Sequence, residues 1–310
     1  MNLDSIQAPL WFNEAIKQMP EVNSVTVRGC EIRYRVWGRS GLPTLVLVHG
    51  MRAHARWWDF IAPLLMDHFQ VLAVDLSGMG DSGRRSQYTI SDYAADINQV
   101  MAAHGCDQTA TVIAHSFGGF AATHALLAEE ALTQRLILVD SAVRPPEDQW
   151  VRPPDNMLRQ KKYYPTKADA LARFKLMPPQ SCENDFIVNY IAEHSVMETN
   201  QGWCWKFDND LFPTGGFGDR AADFKQIVSS MERLAIVYGD QSEPCSARVI
   251  TYMKSLADEH IPFIEIPQAH HHIMLDQPIA FIATIRTILA QWQSADLQRI
   301  HLSETKLAKI

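Results

Sequence analysis

Five short apolar runs constrain the fold of this chain more tightly than any other feature. TLVLVHG (44–50), VLAVDL (71–76), TVIAHS (111–116), RLILVDS (135–141) and RLAIVYG (233–239) are β-branched and unbroken, not alternating. A strand apolar at every position is buried on both faces, which occurs in parallel sheets covered by helices on each side. Helical patterns stand between the runs. RWWDFIAPLL follows the first, residues 89–104 read as a helix capped by Ser91, and residues 118–127 continue the third. CSARVITYMKSLAD and PFIEIPQ add a further helix and strand, and a helix is expected from Pro278 to Trp292, followed by a polar tail over 294–310. Ahead of them, SVTVR and EIRYRVW alternate on either side of Gly29-Cys30, a hairpin signal, and residues 1–22 suit a short amphipathic helix ending at Pro20.

The alternation lapses over residues 144–225, which hold eight of the sixteen prolines, the pairs Pro145-Pro146, Pro153-Pro154 and Pro178-Pro179, and Trp150, Trp203 and Trp205. This interval reads as a helical cap inserted between two strands, leaving 1–143 and 226–310 as the core. A net charge of −7 with no basic stripe argues against nucleic acid. The opening MNLDSIQAPLWFNEAIK has no basic segment followed by an apolar one, so no signal peptide is expected, and no apolar run approaches a membrane span. Five scattered cysteines suit reduced thiols in a cytoplasm better than a disulfide framework. Oligomeric state is not legible.

The third run ends in chemistry. Thr-Val-Ile-Ala-His-Ser-Phe-Gly-Gly (111–119) reads as strand, sharp turn, helix, with Ser116 at the bend and the small Ala114 and Gly118 two residues to either side. Such a turn lifts the Ser116 hydroxyl clear of the sheet beside the N–H of Phe117. A neutral serine needs a base within hydrogen-bond reach and a place for the developing oxyanion.

This A-x-S-x-G elbow resembles that of the α/β-hydrolase family, with alanine in the first glycine position. Three further blocks, in family order, extend the resemblance over residues 24–292: His49-Gly50 after the first run, Asp75-Leu-Ser-Gly-Met-Gly-Asp-Ser after the second, and His271 to Pro278. The resemblance implies a mostly parallel eight-stranded sheet with the cap after strand 6. It implies Ser116 as nucleophile, His271 as base (chosen from His270, His271 and His272 by register against the trailing L-D-Q-P), and the N–H groups of Met51 and Phe117 as oxyanion donors. For the triad acid, Asp140, Asp240 and Glu243 all follow strand ends. Many relatives carry an aspartate where this chain has Ser242, and that departure favours Asp140. A His-rich metal tract is the rival reading of 270–272, although adjacent loop histidines rarely close a site. The Asp75 block lacks a phosphate-loop Gly-Lys-Ser/Thr and is taken as structural.

The expected activity is a serine hydrolase cleaving small or medium apolar esters through an acyl-enzyme, with no cofactor or metal. Hydrolysis of a carbon–carbon bond or lactone, or a ligand receptor on the same fold, are the alternatives. Epoxide hydrolases and haloalkane dehalogenases of this fold use aspartate where Ser116 stands.

Overall fold

A run that is apolar throughout has to divide its side chains between two cores. The computed structural model describes residues 8–128, 131–148 and 161–307, and the division is plain in it. Along β5 (Thr111–His115), Val112 and Ala114 enter one apolar cluster while Ile113 enters another. In β3 (Thr44–Val48), Val46 and Val48 part from Leu45 and Leu47, and β6 (Arg135–Val139) splits Leu136 and Leu138 from Ile137 and Val139. Burying one such side chain is worth roughly 1.5–3 kcal/mol. Two-sided packing therefore fixes these short strands.

With elements numbered along the chain, β1 (Glu21–Val27), β2 (Cys30–Trp37), β4 (Gln70–Val74), β9 (Arg233–Gly239) and β10 (Phe263–Ile266) complete an eight-stranded sheet of order β1-β2-β4-β3-β5-β6-β9-β10. The β1–β2 and β2–β4 pairs are antiparallel and the others parallel. On one face lie α2 (Ile90–Ala103), α3 (Phe117–Leu127), α6 (Arg220–Ser230) and α7 (Ala247–Leu256). The other carries α1 (Leu10–Ile16), α5 (Asp185–His194), α8 (Ile273–Asp276) and α9 (Pro278–Leu307). Among the described residues no helix is long and apolar enough to cross a membrane.

Four local expectations shift. The hairpin turns on Arg28-Gly29, both at positive φ (48° and 78°), and Cys30 pairs with Val27 inside the strand. Thr89 caps α2, sharing a capping box with Asp92, whereas the Ser91 hydroxyl accepts from Arg28. RWWDFIAPLL forms two short 3-10 turns, Ala55–Trp58 and Ala62–Leu64, in place of an α-helix. Pro63 lacks the N–H a helix would use, and the Asp75 carboxylate takes the Ala55 N–H at 2.6 Å. Finally, α9 runs on past Trp292 to Leu307, since no glycine or proline follows Pro278. Asp296 ties it to the sheet by accepting from Arg135 and Arg233, at 2.8 Å each.

β6 and β9 pair directly, Leu138 opposite Ile236, so everything between them leaves the sheet and returns beside its point of departure. This excursion holds α4 (Lys167–Leu171), α5, α6 and also a two-stranded hairpin, β7 (Val196–Thr199) with β8 (Gly202–Trp205). Trp150 and Pro153-Pro154 lie outside the described residues. The expected boundary at 225 falls within α6, whose Phe224 and Ile227 pack in the same cluster as α3. Tyr190 of α5 anchors the excursion, donating at 2.6 Å to Asp59, which also holds the buried Arg35.

Candidate active site

Ser116 joins β5 to α3 with φ 54° and ψ −122°, a conformation costing a non-glycine residue on the order of 1–3 kcal/mol. Its neighbours hold it there. The Ser116 N–H donates to Val139 at 2.9 Å, and the Ser141 hydroxyl donates to the Ser116 carbonyl at 2.8 Å. The helix can approach this closely because a Cβ on Gly118 would strike the His49 carbonyl, and one on Gly119 the Ser141 hydroxyl.

His271, in the loop between β10 and α8, comes to the serine from 155 residues away: its Nε2 lies 2.9 Å from Ser116 Oγ. Its Nδ1 lies 2.7 Å from Oδ1 of Asp140, a fully buried carboxylate at the end of β6. A carboxylate only accepts, so Nδ1 carries the proton and the Nε2 lone pair faces the serine hydroxyl. Asp140 takes two more donors, the Gly239 N–H at 3.0 Å and the Ser242 hydroxyl at 2.6 Å. Ser242 in turn accepts the Cys245 N–H at 3.0 Å. Asp240 and Glu243 are both exposed, and Asp240 accepts the Ala269 N–H at 3.1 Å. Neither joins the cluster. Ser242, noticed in the sequence only as a missing aspartate, is thus a donor to the carboxylate on the neighbouring strand.

The His-Gly after β3 has a mechanical explanation. His49 Nδ1 donates to the Gly50 carbonyl at 2.7 Å and its Nε2 accepts the Leu76 N–H at 3.1 Å, which pins the loop to the end of β4. A Cβ built on Gly50 would come within 3.2 Å of Ser116 Cβ, so the following residue, Met51, borders the serine. Among the described residues, the N–H groups of Met51 and Phe117 donate to no protein acceptor. His115 fixes the other side, its Nε2 donating to the His271 carbonyl at 3.0 Å. Neither clamp was legible in the sequence, since a histidine bonded to a distant backbone leaves no local signature.

Burial holds His49 down to about 4 and pushes His54, His115 and His272 well below the usual histidine value of 6.5. These rings are neutral in the folded protein, so below pH 6.5 the unfolded chain binds protons first. The stability present above pH 6.5 is then lost as pH falls toward 4, on the order of 3 kcal/mol from His49 alone. Asp75, raised to about 6 by burial, acts in the opposite sense, favouring the fold as pH falls through 6. Burial also raises Asp59 and Asp96, and it lowers His104 and takes His194 down to about 4, so six histidines stand against three carboxyls. Calorimetry should therefore show Tm falling between pH 7 and pH 4.5, and a rising Tm would contradict this.

A cavity of about 260 Å³ opens over Ser116, walled by Met51, Trp57 and His272 from the core and by Phe174, Trp205 and Phe207 from the excursion. His115, His271 and His272 could together surround a metal ion, their ligand atoms lying within 4.8 Å of one another. Both ring nitrogens of His271 are already engaged, so ligation there would break its contact with Asp140 or Ser116.

Residues 45–285 match the model of a family described as the alpha/beta hydrolase family. An uncharacterized protein of Mycobacterium bovis is 31% identical over 123 residues, covering 39% of this chain and 35% of its own length. The proline iminopeptidase PfmaB of Pestalotiopsis fici is 29% identical over 125 residues, covering 39% of this chain and 44% of its own. The alignments thus span less than half of these curated relatives. Among solved structures, a thioesterase domain from the curacin biosynthetic pathway superposes with a TM-score of 0.69 at 21% identity, covering 86% of this chain and 99% of that one.

Proposed function

The chain belongs to the alpha/beta hydrolase family, and within it we propose a serine hydrolase that cleaves carboxylic esters through an acyl-enzyme. The single observation that carries the proposal is the hydrogen-bonded series from Ser116 Oγ through His271 to Asp140, at 2.9 and 2.7 Å. His271 Nε2 takes the hydroxyl proton as Oγ attacks the ester carbonyl, and Asp140 stabilises the imidazolium that forms. The oxyanion of the tetrahedral intermediate is received by the Met51 and Phe117 N–H groups, two donors beside the serine that have no protein acceptor among the described residues. His271 returns its proton to the leaving alcohol, leaving an acyl-Ser116. Water activated by the same imidazole then releases the acid and restores the serine.

Residues 144–225 act in this reading as a cap over a core of 1–143 and 226–310. Its Phe174, Trp205 and Phe207, with Trp57 opposite, favour an apolar portion of a small-molecule ester. All five cysteines are free, which supports a reducing compartment, and the cytoplasm is our assignment.

Incubation with a fluorophosphonate tests the proposal. A covalent adduct mapped by peptide mass spectrometry to Ser116, together with turnover of p-nitrophenyl acetate, is the expected result. An unlabelled Ser116 in folded protein would favour a receptor instead, and labelling without ester turnover would favour carbon–carbon or lactone hydrolysis.

A further inference from the structure

The charge around the candidate nucleophile has a one-sided distribution. In a chain with a net charge of −7, the charged side chains lining the cavity over Ser116 are Arg52, Arg173 and Lys175, with no aspartate or glutamate among the described lining residues. Arg173 and Lys175 are exposed, at the cap side, while Arg52 is half-buried beside the serine loop. Its backbone is fixed, with φ 62° and its N–H on Met79 Sδ at 3.2 Å, and its guanidinium lies over the Phe207 ring at 5.4 Å. Among the described residues no carboxylate pairs with it, whereas the buried Arg35 and the half-buried Arg85 each have an aspartate at 3.0 Å or closer. Burial lowers the Arg52 pKa, and among the described residues no acid raises it again.

A guanidinium half withdrawn from water with no carboxylate beside it favours an anion that supplies the missing charge. Its planar fork of donors matches a carboxylate in two parallel hydrogen bonds. We propose that Arg52 is the anchor for a carboxylate on the substrate, so that the molecule cleaved at Ser116 is an acid-bearing ester whose apolar body lies against Trp57, Trp205 and Phe207. This rests on the serine-hydrolase reading for the cleavage step, though not for the binding step. Arg173 and Lys175, at the mouth, add a positive potential that draws such an anion inward.

Binding tests the anchor independently of turnover. Trp57 and Trp205 line the cavity, so intrinsic fluorescence can follow titration with benzoate and with its neutral analogue benzamide. The expected result is benzoate binding at least about tenfold more tightly than benzamide at low salt. That ratio should collapse toward one in Arg52→Gln and survive in part in Arg52→Lys, both with Tm near that of the parent. Equal binding of the two ligands, no binding of either, or a ratio unchanged in Arg52→Gln overturns the anchor. Phenyl acetate turnover and fluorophosphonate labelling, run on the same samples, report on the hydrolase reading separately. Benzoate selectivity without labelling would sink that reading and leave the anchor standing, and labelled, active protein without selectivity would do the reverse.

Discussion

Ser116→Ala is expected to lower p-nitrophenyl ester turnover by roughly 10⁴- to 10⁶-fold while moving Tm by no more than a few degrees. The size follows from what is removed, the atom that carries the acyl group in the proposed reaction. What remains, the Met51 and Phe117 donors and the cavity, accelerates attack by water far less. The fold should be indifferent because, among the described residues, Ser116 Oγ bonds to His271 alone, while the backbone clamps from Val139 and Ser141 act on atoms alanine also has. Alanine is also as strained as serine at φ 54°, so no relief of strain is available to raise stability. Steady-state kinetics beside a thermal melt checks both halves. Full activity in the variant would place the chemistry on another side chain, and a collapsed Tm would make the kinetic loss uninformative.

What the sequence disclosed and what it hid divide along one physical line. The strands around Ser116 were legible because two-sided burial forces every position of 44–48, 111–115 and 135–139 to be apolar or small, with polar groups only at the ends. The elbow was legible because close approach of helix and backbone restricts 118 to glycine. Choosing His271 from three adjacent histidines needed the register of the following helix, and the structure puts His270 on Asp276 and His272 against Trp57. Features made by contacts between distant segments left no such trace. RWWDFIAPLL has a helical look, yet the N–H of Ala55 just ahead of it is taken by Asp75, twenty residues on. The β7–β8 hairpin, four residues to a strand, hides among the tryptophans of the excursion. Apolar residues there implied an apolar pocket, while the cation that distinguishes it, Arg52, sits in the loop after β3.

Asp140→Asn is expected to cost roughly 10³- to 10⁴-fold in kcat, and Asp240→Asn less than about threefold. Among the described residues the Asp140 carboxylate faces donors: His271 Nδ1, the Ser242 hydroxyl and the Gly239 N–H, with the buried Cys245 thiol beside them. An acceptor-only group satisfies them all. An asparagine amide cannot, because its NH₂ must face either the Gly239 N–H or the histidine. In the first orientation two donors collide, and in the second the ring is driven to the tautomer with its proton on Nε2, pointing at the serine. Either way the imidazolium loses its counter-charge. Ser242→Ala, which removes one donor and leaves the charge, should lose far less, about tenfold. The same geometry permits a stricter test, because Ser242 Oγ already sits 2.6 Å from the carboxylate on the adjacent strand. An aspartate at 242 in the Asp140→Asn background brings a new carboxylate to the same histidine, so Ser242→Asp should restore part of the lost kcat. No recovery would mean that Asp140 acts through its place at the end of β6 as much as through its charge, and a severe loss in Asp240→Asn alone would move the acid to the other loop.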